Sequence, residues 1–527
     1  MKLKIIIFSI CNLVICNLLI AQNITNTLGS NGMFTIKDGT TNYLSLSQST
    51  GNLTLNNSLL MSNTTSSTTG VLFKGLSRFL HNFGTGNTFL GFNSGNFTMT
   101  GLANTGLGSQ SLQSISSGSY NTAIGNNSLF SNSTGSYNTA VGFNSLYTNT
   151  TGIYNTAVGY QSLGFNTIGS FNTALGYLSL NSNTNGVSNV AIGNGSLNYN
   201  ITGDNNTAVG TFSLRNNKGS DNTAVGFNSL SNNVTGYRNT SLGMNSLIGN
   251  SSGYHNTALG YYSLYSNSTG NENTAVGYNS LYSNTTNAGN TAVGWNALYL
   301  NTGYQNTAVG HHSMNSNTTG NYNTSIGYNS GSTITTGLNL TCIGIDAAPT
   351  TPTATDQITL GNGFVTSLRC NVTTITSLSD MRDKKNIKDL TIGLDFITKL
   401  HPRQFNWDKR EWYDSNKSDG SKMDSTYTAG FIAQELDEVQ TTENAEWLKL
   451  VLKDNPEKWE ATPGNLLPIM VKAIQQLKEE NDGLKIEIEI LKTENKKTAE
   501  LEVMFLQLKE KIGQLEAESQ NVRITNK

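Results

Sequence analysis

Along the middle of this chain the apolar residues are few, small and spaced by a period that fits neither an α-helix nor an alternating strand. A short block, NTAVG or a close variant, returns every seventeen residues, with its asparagine at Asn121, Asn138, Asn155, Asn172, Asn189 and Asn206. It continues at Asn222, Asn239, Asn256, Asn273, Asn290, Asn306 and Asn323, with two steps shortened to sixteen. In a typical unit, NTAVGFNSLYTNTTGIY (Asn138 to Tyr154), the apolar positions are Ala140, Val141, Leu146 and Tyr154. One unit cannot bury these alone, whereas stacked coils place each set above the last and make a thin continuous core. A disordered segment would not need Ala, Val and Gly in strict register. Residues 87–345 therefore predict a β-solenoid or β-roll. At about 4.8 Å per coil, some sixteen coils would make a rod ~75 Å long. Gly142 and Gly152 are expected where so tight a coil turns with positive φ. The fixed Asn and Thr stations are expected to hydrogen-bond along the axis.

The flanks read differently. Residues 22–86 alternate apolar and polar positions in stretches such as MFTIKDG and YLSLSQSTGNLTL. This predicts β-hairpins, an N-terminal β cap over the open edge of the first coil. Residues 346–378 form a β-rich connector. Beyond Cys370 charged residues, Trp and Phe become frequent. Asp380 to Leu400 reads as a helix with Ile387, Leu390, Leu394, Ile397 and Leu400 on one side. A strand is expected at Arg403 to Trp407, another at Thr428 to Ile432, and a short helix at Gln434 to Val439. Residues 379–473 thus predict a small α+β domain, and LLPIMVKAIQQLKEEND opens a long helix.

Over 474–520 that helix carries heptads. Leu477, Leu484 and Leu491 alternate with Ile474 and Ile488; Leu501, Leu508 and Leu515 form a second register with Phe505 and Ile512 between them. The ten-residue step from Leu491 to Leu501 is a stammer, and Asn481 and Asn495 fall at core positions. A coiled coil of two or three chains is expected; the alternative is a lone helix laced with charge pairs. The fold class is therefore mostly β: a repetitive β-solenoid of 17-residue repeats, a small α+β domain and a C-terminal coiled-coil helix.

Composition narrows the function. Only 13% of the 527 residues are charged and the formal net charge is -2, against about 25% charged in ordinary globular chains. Without a basic excess, no nucleic-acid partner is expected. Lys2 and Lys4, the apolar run Ile5 to Ile20 and the Ala21-Gln22 junction read as a signal peptide over 1–21, hence a secreted or surface protein with no membrane span after its removal. An uncleaved anchor is disfavoured by Asn12 and Asn17 within a short stretch, and lipid attachment at Cys16 by the bulky Ile15 before it. Of the remaining cysteines, Cys342 and Cys370 either pair in an oxidising compartment or are small buried apolar residues, the preferred reading. Neither has metal-ligand spacing, and His311 and His312 read as surface residues. No metal and no cofactor are expected. Within the repeats Asp204, Asp221 and Glu272 are isolated, so neither a polysaccharide-cleaving groove nor a calcium-binding repeat is indicated. The array reads as a spacer or binding surface whose Tyr and Asn side chains suit a cell-surface or glycan ligand.

The candidate chemistry lies where the array gives way to the charged tail, in SDMRDKKNI, Ser379 to Ile387. A serine hydroxyl becomes a nucleophile when a base takes its proton, and a lysine can be that base if burial lowers its pKa. Ser379 and Lys384, five residues apart, are a candidate Ser-Lys dyad. The plain structural alternative is a solvated turn opening a helix, with Ser379 as cap and Asp380 in the first turn.

Four motifs in order, SDMRDKKNI, GLDFITKLHPRQFNW, AGFIAQELDEV and LLPIMVKAIQQL, resemble the intramolecular chaperone domain of phage endosialidases and tailspikes. The repeats resemble the heads of trimeric autotransporter adhesins and the shafts of phage tail fibres, although the usual unit there is shorter. The resemblance implies a homotrimer whose chaperone domain aligns three chains and then cuts itself off before the serine. It places the cleavage site at Leu378-Ser379, the catalytic roles on Ser379 and Lys384, and supporting roles on Asp380, Arg382 and Asn386. The implied activity is a self-cleaving serine endopeptidase acting once in cis, with no turnover. The alternative function is a structural surface or adhesion protein that keeps the domain as a trimerisation module.

Overall fold

The computed structural model describes residues 33–38, 41–47, 52–55, 61–365, 367–369, 379–413, 415 and 417–524. The signal-peptide segment, Cys370 and Leu378 lie outside the described residues. The chain divides into two compact units, Met1–Tyr254 and His255–Lys527.

In the first unit, Met33–Asp38, Thr41–Ser47 and Leu53–Leu55 form a three-stranded antiparallel sheet. A second hairpin, Leu72–Lys74 with Ser77–His81, pairs antiparallel to Thr88–Leu90. That hairpin occupies the hydrogen-bonding edge of the first coil, which would otherwise be open. From there the chain winds as a β-solenoid of about 16 turns of ~17 residues. Each coil contributes one three-residue strand, and like residues stack: Thr139, Ala140 and Val141 pair in parallel with Thr156, Ala157 and Val158. The strand alternates, so Ala140 is fully buried while Val141 is half-buried. In the second unit the same ladder runs from Thr257–Leu259 to Ile358–Leu360, one strand beyond residue 345.

The core of a coil is mostly amide and hydroxyl. Asn138, Ser145 and Asn149 are as buried as Ala140 and Leu146. Asn155 shows how the amides are satisfied. Its Nδ2 donates to Gly169 O at 2.8 Å and to Asn138 Oδ1 at 3.2 Å, and its backbone N–H donates to the same Oδ1 at 3.0 Å. Its own Oδ1 accepts from Asn172 N–H at 3.0 Å. A second ladder runs through Asn132, Asn149 and Asn166: Asn149 Nδ2 donates to Asn132 Oδ1 and Asn166 Nδ2 to Asn149 Oδ1, each at 2.8 Å. A buried polar group left without a partner costs about 1–3 kcal/mol, and here each coil supplies the partner for the next.

Three expectations are corrected in the coils. Tyr154 is outside the core: it is about half exposed and stacks between Tyr137 at 4.8 Å and Phe171 at 5.3 Å. Gly142 has the expected positive φ of 136°, but Gly152 does not turn with positive φ. Gly152 is required for close approach, because a Cβ there would lie 2.3 Å from Gly169 O and 2.4 Å from Asn149 Oδ1. The other tight corners are made by Asn144, Leu146 and Tyr154, with φ of 54°, 48° and 56°. A left-handed leucine costs roughly 1–2 kcal/mol, which full burial of the side chain, at about 1.5–3 kcal/mol, offsets. Lastly, His311 and His312 are half-buried and stacked at 4.2 Å rather than free on the surface. Cys342 occupies the alanine station of its coil as a buried free thiol, and burial pushes its pKa up to about 11.

The α+β domain closes around Phe396, Leu400, Leu436, Ala445, Leu448, Leu450, Val451, Leu466 and Ile469. The strands Arg403–Asn406 and Tyr427–Gly430 pair antiparallel, the helix Ala433–Thr442 follows, and Leu467–Ile524 is one continuous helix. The long helix expected from Asp380 to Leu400 does not form. A single 3-10 turn, Met381–Asp383, and one helical turn, Leu394–Ile397, stand in its place. Asn386 at φ 54° interrupts the run, and Thr391, Ile392 and Gly393 are poor helix formers immediately ahead of the second turn.

Candidate functional site

Ser379 and Lys384 are brought together by the local chain. Asp380 caps the Met381–Asp383 turn, its Oδ1 accepting the Arg382 backbone N–H at 2.8 Å. The Arg382 guanidinium folds back onto the same carboxylate, with Nε 3.1 Å from both oxygens and Nη2 2.6 Å from Oδ2. This pairing holds the Asp380 pKa below its ordinary value, chiefly through the Arg382 side chain and then its backbone N–H. Lys384 N–H closes the turn on Met381 O at 3.2 Å. One 3-10 turn reverses the chain enough that Lys384 Nζ donates to Ser379 Oγ at 2.5 Å. Asn386, in the left-handed region, then turns the chain away.

The turn is anchored from behind. Leu390 and Ile392 pack on the hydrophobic cluster, and Gln476 of the long helix accepts the Leu394 backbone N–H at 2.5 Å. Gly393 permits this approach, since a Cβ there would lie 2.1 Å from Gln476 Oε1. Sequence reasoning passed over both residues. The signal was present: a helix beginning at Leu394 after Gly393 has no Ser, Thr, Asp or Asn to cap it, so its N–H needs a remote acceptor. Arg403 forks onto Glu435 through Nε and Nη2 at 2.8–3.1 Å, tying the first strand to the helix behind it.

Ser379 to Asp389 are all exposed. The geometry supplies a hydroxyl within hydrogen-bond reach of an amine, which is the arrangement for base-assisted nucleophilic attack. In the single chain both groups lie open to solvent. Asp380, Arg382 and Asn386 act on the shape of the turn and do not touch Ser379 Oγ. Among the described residues no cluster of three or more His, Cys, Asp or Glu could hold a metal, and no helix is long and apolar enough to cross a membrane.

In chain order a β-solenoid is followed by a small α+β domain that opens on this turn and runs into a 58-residue helix, an order that fits a tailspike- or endosialidase-like architecture. Residues 379–444 match the model of a peptidase family described as chaperone of endosialidase. The match begins at Ser379 itself. No curated protein and no solved structure gives a significant match to the chain.

Proposed function

We propose that this is a secreted, homotrimeric fibre or adhesin-like surface protein whose C-terminal domain assembles it and then releases itself by cutting between Leu378 and Ser379. The observation that carries the cut is the Ser379 Oγ–Lys384 Nζ contact at the first residue of the matched segment. In the reaction, Lys384 takes the hydroxyl proton as Ser379 Oγ attacks the Leu378 carbonyl carbon. The C–N bond breaks, the proton passes to the departing Ser379 amine, and Leu378 is held as an ester on Oγ. Water then hydrolyses the ester, leaving a Leu378 carboxylate and a free chain beginning at Ser379. This is one turnover in cis, with no metal or cofactor required.

Assembly rests on the long helix. Leu477, Leu484, Leu491, Leu501, Leu508 and Leu515 are each about half or more exposed in the single chain. Burying a leucine contributes about 1.5–3 kcal/mol, so six per chain favour a bundle strongly. Three strands fit a solenoid whose copies must be held in register while they wind. Packing of neighbouring chains over the exposed turn would desolvate Lys384, so that the cut follows assembly. The signal-like N-terminus supports export, and the exposed Tyr and Asn columns suit a cell-surface or glycan ligand.

The exposure of both dyad groups favours a second reading, in which the domain stays attached and the dyad is idle. Expressing the full chain beside Ser379→Ala and Lys384→Ala separates them. Self-cleavage predicts a fragment beginning at Ser379 in the wild type alone, read by mass spectrometry. An intact wild-type chain in a confirmed trimer leaves only the second reading.

A further inference from the structure

Charge is scarce in the solenoid, so where it gathers is informative. Between residues 87 and 345 the cations of Lys and Arg are Arg215, Lys218 and Arg238, and the carboxylates are Asp204, Asp221 and Glu272. Most of them fall within three consecutive coils. The nearby acids are engaged: Asp204 Oδ1 accepts Val187 N–H at 2.8 Å, and Asp221 accepts from Asn205 Nδ2 at 3.2 Å and faces Arg238 at 3.9 Å. Arg215 and Lys218 have no carboxylate partner among the described residues.

Arg215 is also incompletely satisfied. Its guanidinium lies over the rings of Phe212 at 4.9 Å and Tyr199 at 5.6 Å, and its Nε is buried with no hydrogen-bond acceptor. Stacking on aromatic faces holds the cation in place without neutralising it, and a buried donor without an acceptor is a group that a ligand or ion can satisfy. The Tyr199 ring that backs Arg215 also lines a cleft of about 440 Å³ with Ser182, Ile201, Asn216, Lys218 and Val234.

We infer that this cleft on coils 182–234 is a binding site for an anionic saccharide, with Arg215 and Lys218 receiving the acidic group. Ser182 and Asn216 present a hydroxyl and an amide to sugar hydroxyls, and Tyr199, Ile201 and Val234 present apolar surface to a ring face. Two cations are too few to track a nucleic-acid backbone, where several phosphates are neutralised together. A carboxylate and a sulfate share the chemistry that the site recognises. The inference rests on the reading of the solenoid as a glycan-binding surface and is independent of self-cleavage.

The test uses the full chain and three polymers: polygalacturonate for carboxylate, dextran sulfate for sulfate and dextran as the neutral control. Affinity is measured by calorimetry at low and high salt. The wild type is expected to bind one of the acidic polymers, more weakly at high salt, with the stronger of the two identifying the group. Arg215→Gln/Lys218→Gln is expected to weaken that binding by about tenfold or more, and Arg238→Gln, whose partner is Asp221, to leave it unchanged. If the double variant melts early, Lys218→Gln alone carries the test, since that side chain is exposed. Equal binding by wild type and variant overturns the site. Binding to dextran alone overturns the anion site while leaving the glycan surface standing, and binding to none of the three removes both.

Discussion

A coil of the solenoid buries Asn138, Ser145 and Asn149 beside Ala140 and Leu146, whereas the domain after Ser379 buries Phe396, Leu436, Leu450 and Ile469, with Gln440 the one buried polar side chain among its described residues. The two regions solve the same problem differently. In the solenoid the repeating amides such as Asn155 find partners in the coils on either side, so polar groups can fill the interior and each coil is stabilised by its neighbours. In the α+β domain the contacts are unique and distant in sequence, and apolar burial does most of the work. The polar, repeating interior tolerates almost no side-chain volume at its glycines. The apolar interior leaves charged groups outside, paired across the surface. If the chain assembles as proposed, the information for it would come from the second region: a coil specifies only the next coil, while the long helix carries leucines at heptad spacing.

The contrast can be broken most severely at a glycine. A Cβ on Gly159 would lie 2.4 Å from the Gly176 carbonyl oxygen, and φ there is 132°. Gly159→Val is expected to destabilise the solenoid by about 3 kcal/mol or more, read as an early transition in thermal melting while the transition of the C-terminal domain is unchanged. A single transition shifted as one would show that the two regions do not unfold independently. A smaller effect is expected at the ladder. Asn155→Ala removes the donor to Gly169 O and the acceptor for Asn172 N–H, at about 1–3 kcal/mol; a urea titration that finds no loss would mean that water replaces the amide.

The smallest effect is with pH, and it should appear in one region only. Arg403 depresses the Glu435 pKa, first through the side-chain hydrogen bond, and Arg382 does the same to Asp380. A depressed carboxylate contributes stability above its ordinary value and loses it as pH falls through the folded value. Acidification below about pH 4 should therefore weaken the C-terminal domain modestly, since both groups are exposed. The solenoid, whose ladders use Asn where an acid would titrate, should hold its melting temperature. Equal acid sensitivity of the two transitions would refute the comparison.

Repetition made the solenoid legible. A period of seventeen, a small residue (mostly alanine) at the centre of the repeat strands and a glycine after them leave few ways to stack, and the buried station of Cys342 followed from the same register. A single unit does not reveal which apolar positions face inward. The array does: the Leu146 station stays apolar from coil to coil, whereas the Tyr154 station becomes Ser188, Asn205, Asp221, Arg238 and Glu272, and Leu146 is buried in a left-handed corner while Tyr154 is stacked outside. Gly152 was likewise recognisable as obligatory, but for backbone approach in place of φ. In the C-terminal domain the Asp380 to Leu400 segment carried helical spacing that tertiary contacts overrode: Leu390 and Ile392 reach the core from extended chain.

The sequence alone determined the coil period, the place where the repeats end and the five-residue separation of Ser379 from Lys384, because these are properties of residue order. Tertiary structure decided the rest. It took an Asp380-capped turn to carry Lys384 Nζ to Ser379 Oγ, and Gln476, 82 residues beyond Leu394, to receive the N–H that no neighbour could cap. Hydrogen bonds are satisfied in space, and only folding brings distant donors and acceptors within reach.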